Sequence, residues 1–266
     1  MKKVFGEPNT PFPRTDPPSL IIDSINSVPD RNYDDVEACY CGSGKYFKSC
    51  CGSNESRRKP PYGIFVIENY LDAAEARRLT VFAEKQEGKR LMVIDNETST
   101  PGNIKLVEDE RRITERVVMG KEQQTLNNMI EKAYRELPKK LLGREAQWFE
   151  TPQLLRYYPG GHYIGHADSQ NLNGDTQMWE KKMDRDLSLL IYLNNAFDGG
   201  EVFFKKFNFS LRPKAGMLVM FPSDSRYMHE AQTITQGVRY AVVSWAAVKG
   251  VPKVTDKPPP ASFQLD

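Results

Sequence analysis

Histidine is nearly absent from this chain of 266 residues, which carries only His162, His166 and His229. Cysteine is almost as scarce, and its four copies all lie between Cys39 and Cys51. None is left to cross-link the remaining chain, which excludes a secreted disulfide framework. Long apolar runs are missing too; nothing approaches the roughly 18 residues that a membrane helix needs, so no membrane span is expected. The N-terminus, Met1-Lys2-Lys3 followed by Gly, Pro and acidic residues, lacks the apolar stretch of a signal peptide, and a cytoplasmic location is expected. Charge of one sign is lacking as well. Lys and Arg number 37 against 35 for Asp and Glu, and a net +2 creates no field that by itself implies a polyanionic partner.

What is present divides the chain unevenly. Residues 1–35 hold Pro8, Pro11, Pro13, Pro17, Pro18 and Pro29 among polar residues, the composition of an extended arm. Its apolar cluster, Leu20-Ile21-Ile22 with Ile25, has the spacing of a short helix. Residues 36–53 enclose the cysteines, 54–62 form a polar linker, 63–249 are the folded mass and 250–266, with Pro258-Pro259-Pro260, a loose tail. Within the folded mass, residues 63–67 predict a strand, and Asp72-Ala73-Ala74-Glu75 has the form of a capping box opening a helix through Gln86. Leu126, Met129, Ile130, Ala133, Tyr134 and Leu137 mark one face of a second helix, expected to stop at Pro138. Beyond residue 150 short β-rich runs follow at 154–158, 187–193, 201–204, 217–221 and 238–245, punctuated by Gly, Pro, Asn and Asp. Helices first and strands later predict a mostly β fold with flanking helices: a double-stranded β-helix, or jelly roll, with a small N-terminal zinc knuckle.

His166-Ala167-Asp168 is an H-x-D pair, and in an extended segment alternate residues point the same way, so the imidazole and the carboxylate can share one ion. His229, beyond the 217–221 strand and the turn-like Pro222-Ser223-Asp224-Ser225, is a candidate third ligand. Two imidazoles and one carboxylate on one face leave coordination positions open, the arrangement suited to non-haem Fe(II). Arg239 lies in an apolar strand, where a permanent cation is costly unless paired. Its planar fork matches a carboxylate, so Arg239 could hold the far end of a dicarboxylic acid whose near end chelates the metal; the alternative is a salt bridge with a nearby Asp or Glu. His162, beside the Pro159-Gly160-Gly161 turn, is expected in a loop.

Over roughly residues 63–248 these features resemble the prolyl 4-hydroxylase branch of the Fe(II)- and 2-oxoglutarate-dependent dioxygenases. The resemblance is carried by Leu155-Arg156-Tyr157-Tyr158-Pro159-Gly160-Gly161-His162-Tyr163-Ile164-Gly165-His166-Ala167-Asp168, by Ile191-Tyr192-Leu193-Asn194 with Gly199-Gly200-Glu201, and by the pair His229 and Arg239. It implies that His166, Asp168 and His229 bind Fe(II). It implies further that Tyr192 and Arg239 bind the outer carboxylate of 2-oxoglutarate, that Tyr158 approaches the chelating end, and that Arg185 and Trp245 line the substrate groove. Read without it, both tyrosines and Trp245 are ordinary core and Arg185 a solvated loop charge. The activity implied is hydroxylation of an unactivated C–H with O2, 2-oxoglutarate and ascorbate as reductant, on prolyl residues of a cytoplasmic protein. A lysyl residue or a nucleic acid is the alternative substrate, although demethylases of nucleic acid carry a second arginine where this chain has Trp245. The charged segment 171–186 is long enough to cover the groove as a lid.

Cys39-x-Cys41 and Cys50-Cys51, around a turn with Gly42 and Gly44, can close a tetrahedral zinc site that folds a segment too short for a core. This resembles the SEC-C zinc motif at the tail of the secretion motor SecA, with Cys51 where that motif often has histidine. Lys45, Lys48, Arg57, Arg58 and Lys59 make the neighbourhood basic, which suits docking to the ribosome or secretion machinery; a solvated appendage is the other reading. In one reading the chain is a non-catalytic adaptor built around this knuckle. If it is an enzyme, the two metal sites are expected to be independent, with loss of Cys50 leaving turnover intact.

Overall fold

The computed structural model describes residues 33–41, 43–53, 60–95, 98–99, 103 and 105–265. The arm at 1–32 with its Leu20-Ile21-Ile22 cluster, and the linker residues 54–59 with Arg57, Arg58 and Lys59, lie outside them.

An antiparallel sheet of nine strands carries the molecule, with spatial order Phe65–Ile67, Leu218–Pro222, Leu187–Tyr192, Arg239–Val248, Gln153–Tyr157, Glu115–Val117 and Gly88–Arg90. Ala146–Glu150 also pairs with Arg239–Val248. A five-stranded sheet, Phe209–Leu211, Val202–Phe204, His229–Ala231, His162–His166 and Arg112–Ile113, packs against it. The result is a mostly β, jelly-roll-like fold with few helices, as the run of short strands predicts.

The period of two in the large sheet sorts its residues cleanly. Tyr240, Val242, Ala246 and Val248, with Leu187, Leu189 and Ile191, face two helices. The first, α1 (Ala73–Glu84), starts where expected, because the Asp72 carboxylate accepts from the backbone N–H of Ala74 and Glu75. It buries Ala76, Leu79 and Ala83. The second, α2 (Gln123–Leu142), runs through Pro138 instead of stopping there. Proline removes one N–H but leaves the helix able to continue, and burying Leu137, Pro138 and Leu142 favours that; Gly143, at φ +64°, ends it. Tyr134 of α2 donates to the carbonyl of Ser244 at 2.9 Å, fastening the helix to the central strand.

Two further expectations change. His162 opens a strand, and its ring nitrogens lie 2.9 Å from the Gly160 carbonyl and 3.0 Å from that of Glu110. The C-terminal segment is no loose tail, since Ser262–Gln264 pairs with Ala146–Glu150, Phe263 stacks on Phe149, and Val251 and Leu265 are buried. Apolar residues spaced beyond the last long strand gave that strip a core to join.

Candidate metal centre and cosubstrate pocket

Antiparallel pairing sets His229 directly opposite His166, and their ring centroids lie 4.4 Å apart. Just past the strand end, the backbone N–H groups of Asp168 and Ser169 donate to the Ser223 carbonyl, both at 3.0 Å, which draws the H-x-D segment to the end of the large sheet. Asp168 then sits between the imidazoles, with Oδ1 3.5 Å from His166 Nε2 and Oδ2 3.8 Å from His229 Nε2. Candidate ligand atoms of all three residues lie within 4.8 Å of one another. Ligand atoms bound at about 2.1 Å lie roughly 3 Å apart along a shared edge, so small rotations suffice to close on one ion.

The tautomers suit that purpose. Nδ1 of His166 faces the Ile164 carbonyl at 2.9 Å, and Nδ1 of His229 faces the Tyr227 carbonyl at 3.2 Å. A carbonyl only accepts, so each Nδ1 donates, and a neutral ring presents its Nε2 lone pair toward Asp168. Burial keeps His229 neutral by pushing its pKa down to about 4. Burial also opposes the charge on Asp168, yet the imidazoles of His229 and His166 and the Ser188 hydroxyl outweigh it and hold the carboxyl well below the usual range. Ser188 donates to Asp168 Oδ2 at 2.6 Å and lies 2.7 Å from the Ser223 hydroxyl. Sequence reasoning missed Ser188; its place on the cavity-facing parity of Leu187–Tyr192 was the available signal. Ser188→Ala removes the hydrogen bond that orients the carboxylate, and the expected loss in metal affinity is about tenfold, measured by titrating Mn(II) against the free-ion resonance signal.

A cavity of about 1020 Å³ opens from this triad between the sheets. Its large-sheet wall is the second parity row: Leu155 and Tyr157, then Leu190 and Tyr192, then Arg239, Ala241, Val243 and Trp245. Arg239 is 2% exposed, its Nη1 donates to the Gly200 carbonyl at 2.6 Å, and its Nε, like the Tyr192 hydroxyl, is buried without a partner. No acidic partner to Arg239 appears among the described residues, which leaves the salt-bridge alternative unsupported. Gly200, whose carbonyl receives the Nη1 bond, sits at φ +69°, in the left-handed region that favours glycine. Burial pushes the Tyr192 phenol up, so it remains a donor. A guanidinium and a phenol aimed into one cavity with unmade hydrogen bonds fit an oxygen-rich anion.

Tyr158 is a correction. It is half exposed, its ring lies under Arg156, and it does not line the cavity. Tyr157 does, opposite Arg239 in register, with the guanidinium 4.0 Å from its ring centroid. Only the register of Gln153–Tyr157 against Arg239–Val248 selects Tyr157. Tyr163 also lines the cavity, stacked on His166 at 3.6 Å. Arg185 is not a solvated charge: it makes two bonds of 2.6 Å to Glu150 and stacks 3.8 Å over Trp245, which lines the cavity with it. The segment 171–186 is largely a hairpin, Gln170–Leu172 with Trp179–Lys181, and Asp184 ties its base to the backbone of Val254 and Thr255. Both the hairpin and Pro258, Pro259 and Pro260 wall the mouth.

The second cluster packs into the apolar group that holds Val202, Phe204 and Phe209 of the small sheet. Cys39, Cys41, Cys50 and Cys51 bring their sulfurs within 4.8 Å of one another, with no disulfide among them. A bridge between Ala38 and Tyr46 and the turn Phe47–Ser49 fold the segment over Phe47.

Residues 152–247 match the 2OG-Fe(II) oxygenase superfamily. The relatives are hydroxylases. Mouse (Mus musculus) prolyl 3-hydroxylase 2 is 35% identical over 89 residues, 30% of this chain, and the chain spans only 13% of that protein's length. A PKHD-type hydroxylase of Psychrobacter sp. (strain PRwf-1) is 27% identical over 192 residues, 68% of each chain. Among solved structures, a viral collagen prolyl hydroxylase from Paramecium Bursaria Chlorella virus-1 in complex with 2OG has 19% identity and a TM-score of 0.48, covering 70% of this chain and 96% of its own.

Proposed function

We propose that this chain is an Fe(II)- and 2-oxoglutarate-dependent oxygenase that hydroxylates prolyl residues of a protein substrate. One observation carries the reading: a two-histidine, one-carboxylate triad shares a cavity with two buried donors that have no partner, Arg239 Nε and the Tyr192 hydroxyl. His166, Asp168 and His229 would hold the iron, and Arg239 with Tyr192 the outer carboxylate of 2-oxoglutarate. The bound group supplies oxidation of an unactivated C–H with O2, releasing succinate and carbon dioxide. The chain's part is positional. Ser188 orients the carboxylate, Tyr163 packs the His166 ring, and Leu155, Ala241 and Val243 keep the inner wall dry.

Prolyl substrate is favoured by the prolyl 3-hydroxylase relatives. Arg185 and Trp245, clamped by Glu150, form a rigid cation and aromatic face suited to a peptide in the groove. Cys39, Cys41, Cys50 and Cys51 would bind zinc, and the exposed Lys45 and Lys48 beside them offer a docking face for a partner. Incubation of the protein with Fe(II), ascorbate, 2-oxoglutarate and a panel of peptides tests the substrate: a gain of one oxygen on proline is expected. Oxidation confined to lysine or to nucleic acid overturns the prolyl assignment, and a protein that never converts 2-oxoglutarate to succinate is not an oxygenase.

A further inference from the structure

The cysteine module and the iron-site residue His229 belong to one packed body. Cys39 and Phe47 are buried in the same apolar cluster as Val202, Phe204, Phe207, Phe209, Phe221 and Tyr227, and the other three cysteines and Tyr62 pack against it. Phe221 and Phe204 contact the His229 ring, with centroids 4.7 and 5.7 Å away. A polar line runs through the same place. The Tyr227 hydroxyl donates to the Tyr62 carbonyl at 2.9 Å, and the Tyr227 carbonyl receives the Nδ1–H of His229 at 3.2 Å. Tyr62 in turn packs on Tyr40, between Cys39 and Cys41, with ring centroids 5.6 Å apart. The turn Ser225–Tyr227 that presents this carbonyl is itself held, since Asp224 Oδ1 accepts from the Arg226 backbone N–H at 3.0 Å and from its Nε at 2.8 Å.

We infer that the cysteine module is the rear support of the metal ligand His229, with Tyr227 as the positioning residue that joins them. The inference rests on the reading of the four cysteines as a zinc site and of His229 as an iron ligand. A segment of this size has little core of its own and is ordered by its metal. Without zinc, Tyr40 and Tyr62 lose their seat, the Tyr227 hydroxyl loses a fixed acceptor, and the carbonyl that sets the His229 tautomer is no longer held in place. Close packing passes such a displacement on rather than absorbing it. The independence of the two sites that the sequence suggests is therefore replaced by coupling in one direction: zinc supports iron.

Manganese is the probe, because a hard divalent ion prefers nitrogen and oxygen to thiolate. Mn(II) is titrated into the full chain holding one zinc, into the same chain stripped of zinc, and into zinc-loaded Tyr227→Phe, with 2-oxoglutarate affinity measured on the Mn(II)-saturated forms. Expected is about tenfold weaker Mn(II) binding without zinc, the lower end of the scale on which groups orienting a ligand act, and a smaller but measurable loss for Tyr227→Phe, which removes one hydrogen bond behind that carbonyl. The 2-oxoglutarate affinity of each saturated form should stay unchanged. Equal Mn(II) affinity with and without zinc overturns the coupling, as does a Tyr227→Phe protein in which Mn(II) and 2-oxoglutarate binding fall together, the mark of general loosening. A chain that takes up no zinc would sink the reading of the cysteines, and Tyr227→Phe would then decide the mechanical link by itself.

Discussion

Asp168→Ala is expected to abolish succinate formation, to weaken Mn(II) binding by more than about a hundredfold, and to lower the stability of the apo protein. The carboxylate is buried between two imidazoles and held charged by them and by Ser188. Removing it takes away the only anion and one of the three ligands of the triad, and a hard ion such as Mn(II) depends on that carboxylate oxygen. Stability of the apo protein is expected to fall as well, because the interactions that hold the carboxylate charged outweigh the cost of burying it, and the variant loses them. Thermal melting without metal, read beside the Mn(II) titration, separates the two effects. Retained metal binding in this variant would remove Asp168 from the ligand set.

Arg239→Leu is expected to raise the KM for 2-oxoglutarate by roughly a hundredfold or more, corresponding to about 3 kcal/mol for removing one side of a buried, charge-assisted pair. Mn(II) affinity without cosubstrate should be unchanged, because Arg239 touches Gly200 and Tyr157 and no member of the triad. Tyr192→Phe removes one neutral donor, and its expected cost is about 1 kcal/mol, near a fivefold rise in KM. Steady-state succinate assays over a range of 2-oxoglutarate concentrations measure both. If Arg239→Leu leaves KM alone, the orphaned guanidinium serves another ligand.

Much of the fold was legible because its signals are local. Asp72 announces the start of α1 through a side chain that reaches only as far as Glu75, and the β-rich runs after residue 150 carry their period within each strand. The end of α2 was not legible, since Pro138 is a stop signal only where burial does not favour continuing, and burial is set by the sheet beneath it. Segment 250–266 reads as a tail by composition, yet Val251, Phe263 and Leu265 find their partners on strands far back in the chain. The site divides the same way. His166, Asp168 and Arg239 stand out by residue type, because a cation in an apolar strand and an H-x-D pair are costly or rare without a purpose. Ser188, Tyr157 and Glu150 are common residue types in common places, and only pairing register gives them neighbours.

Residue chemistry alone determined that this chain has an imidazole and carboxylate set able to share a metal, a buried guanidinium in want of an anion, and four thiols close enough in sequence to meet. Tertiary structure decided the rest: that Tyr157 and not Tyr158 faces the cavity, that Arg185 is locked to Glu150 over Trp245, and that the cysteines stand behind His229. The physical reason is reach. Ligand type and strand parity act over a few residues of chain, whereas the choice of which face closes on which, and so which side chain loses its water, is made between strands a hundred residues apart in sequence by the burial that the assembled sheets allow.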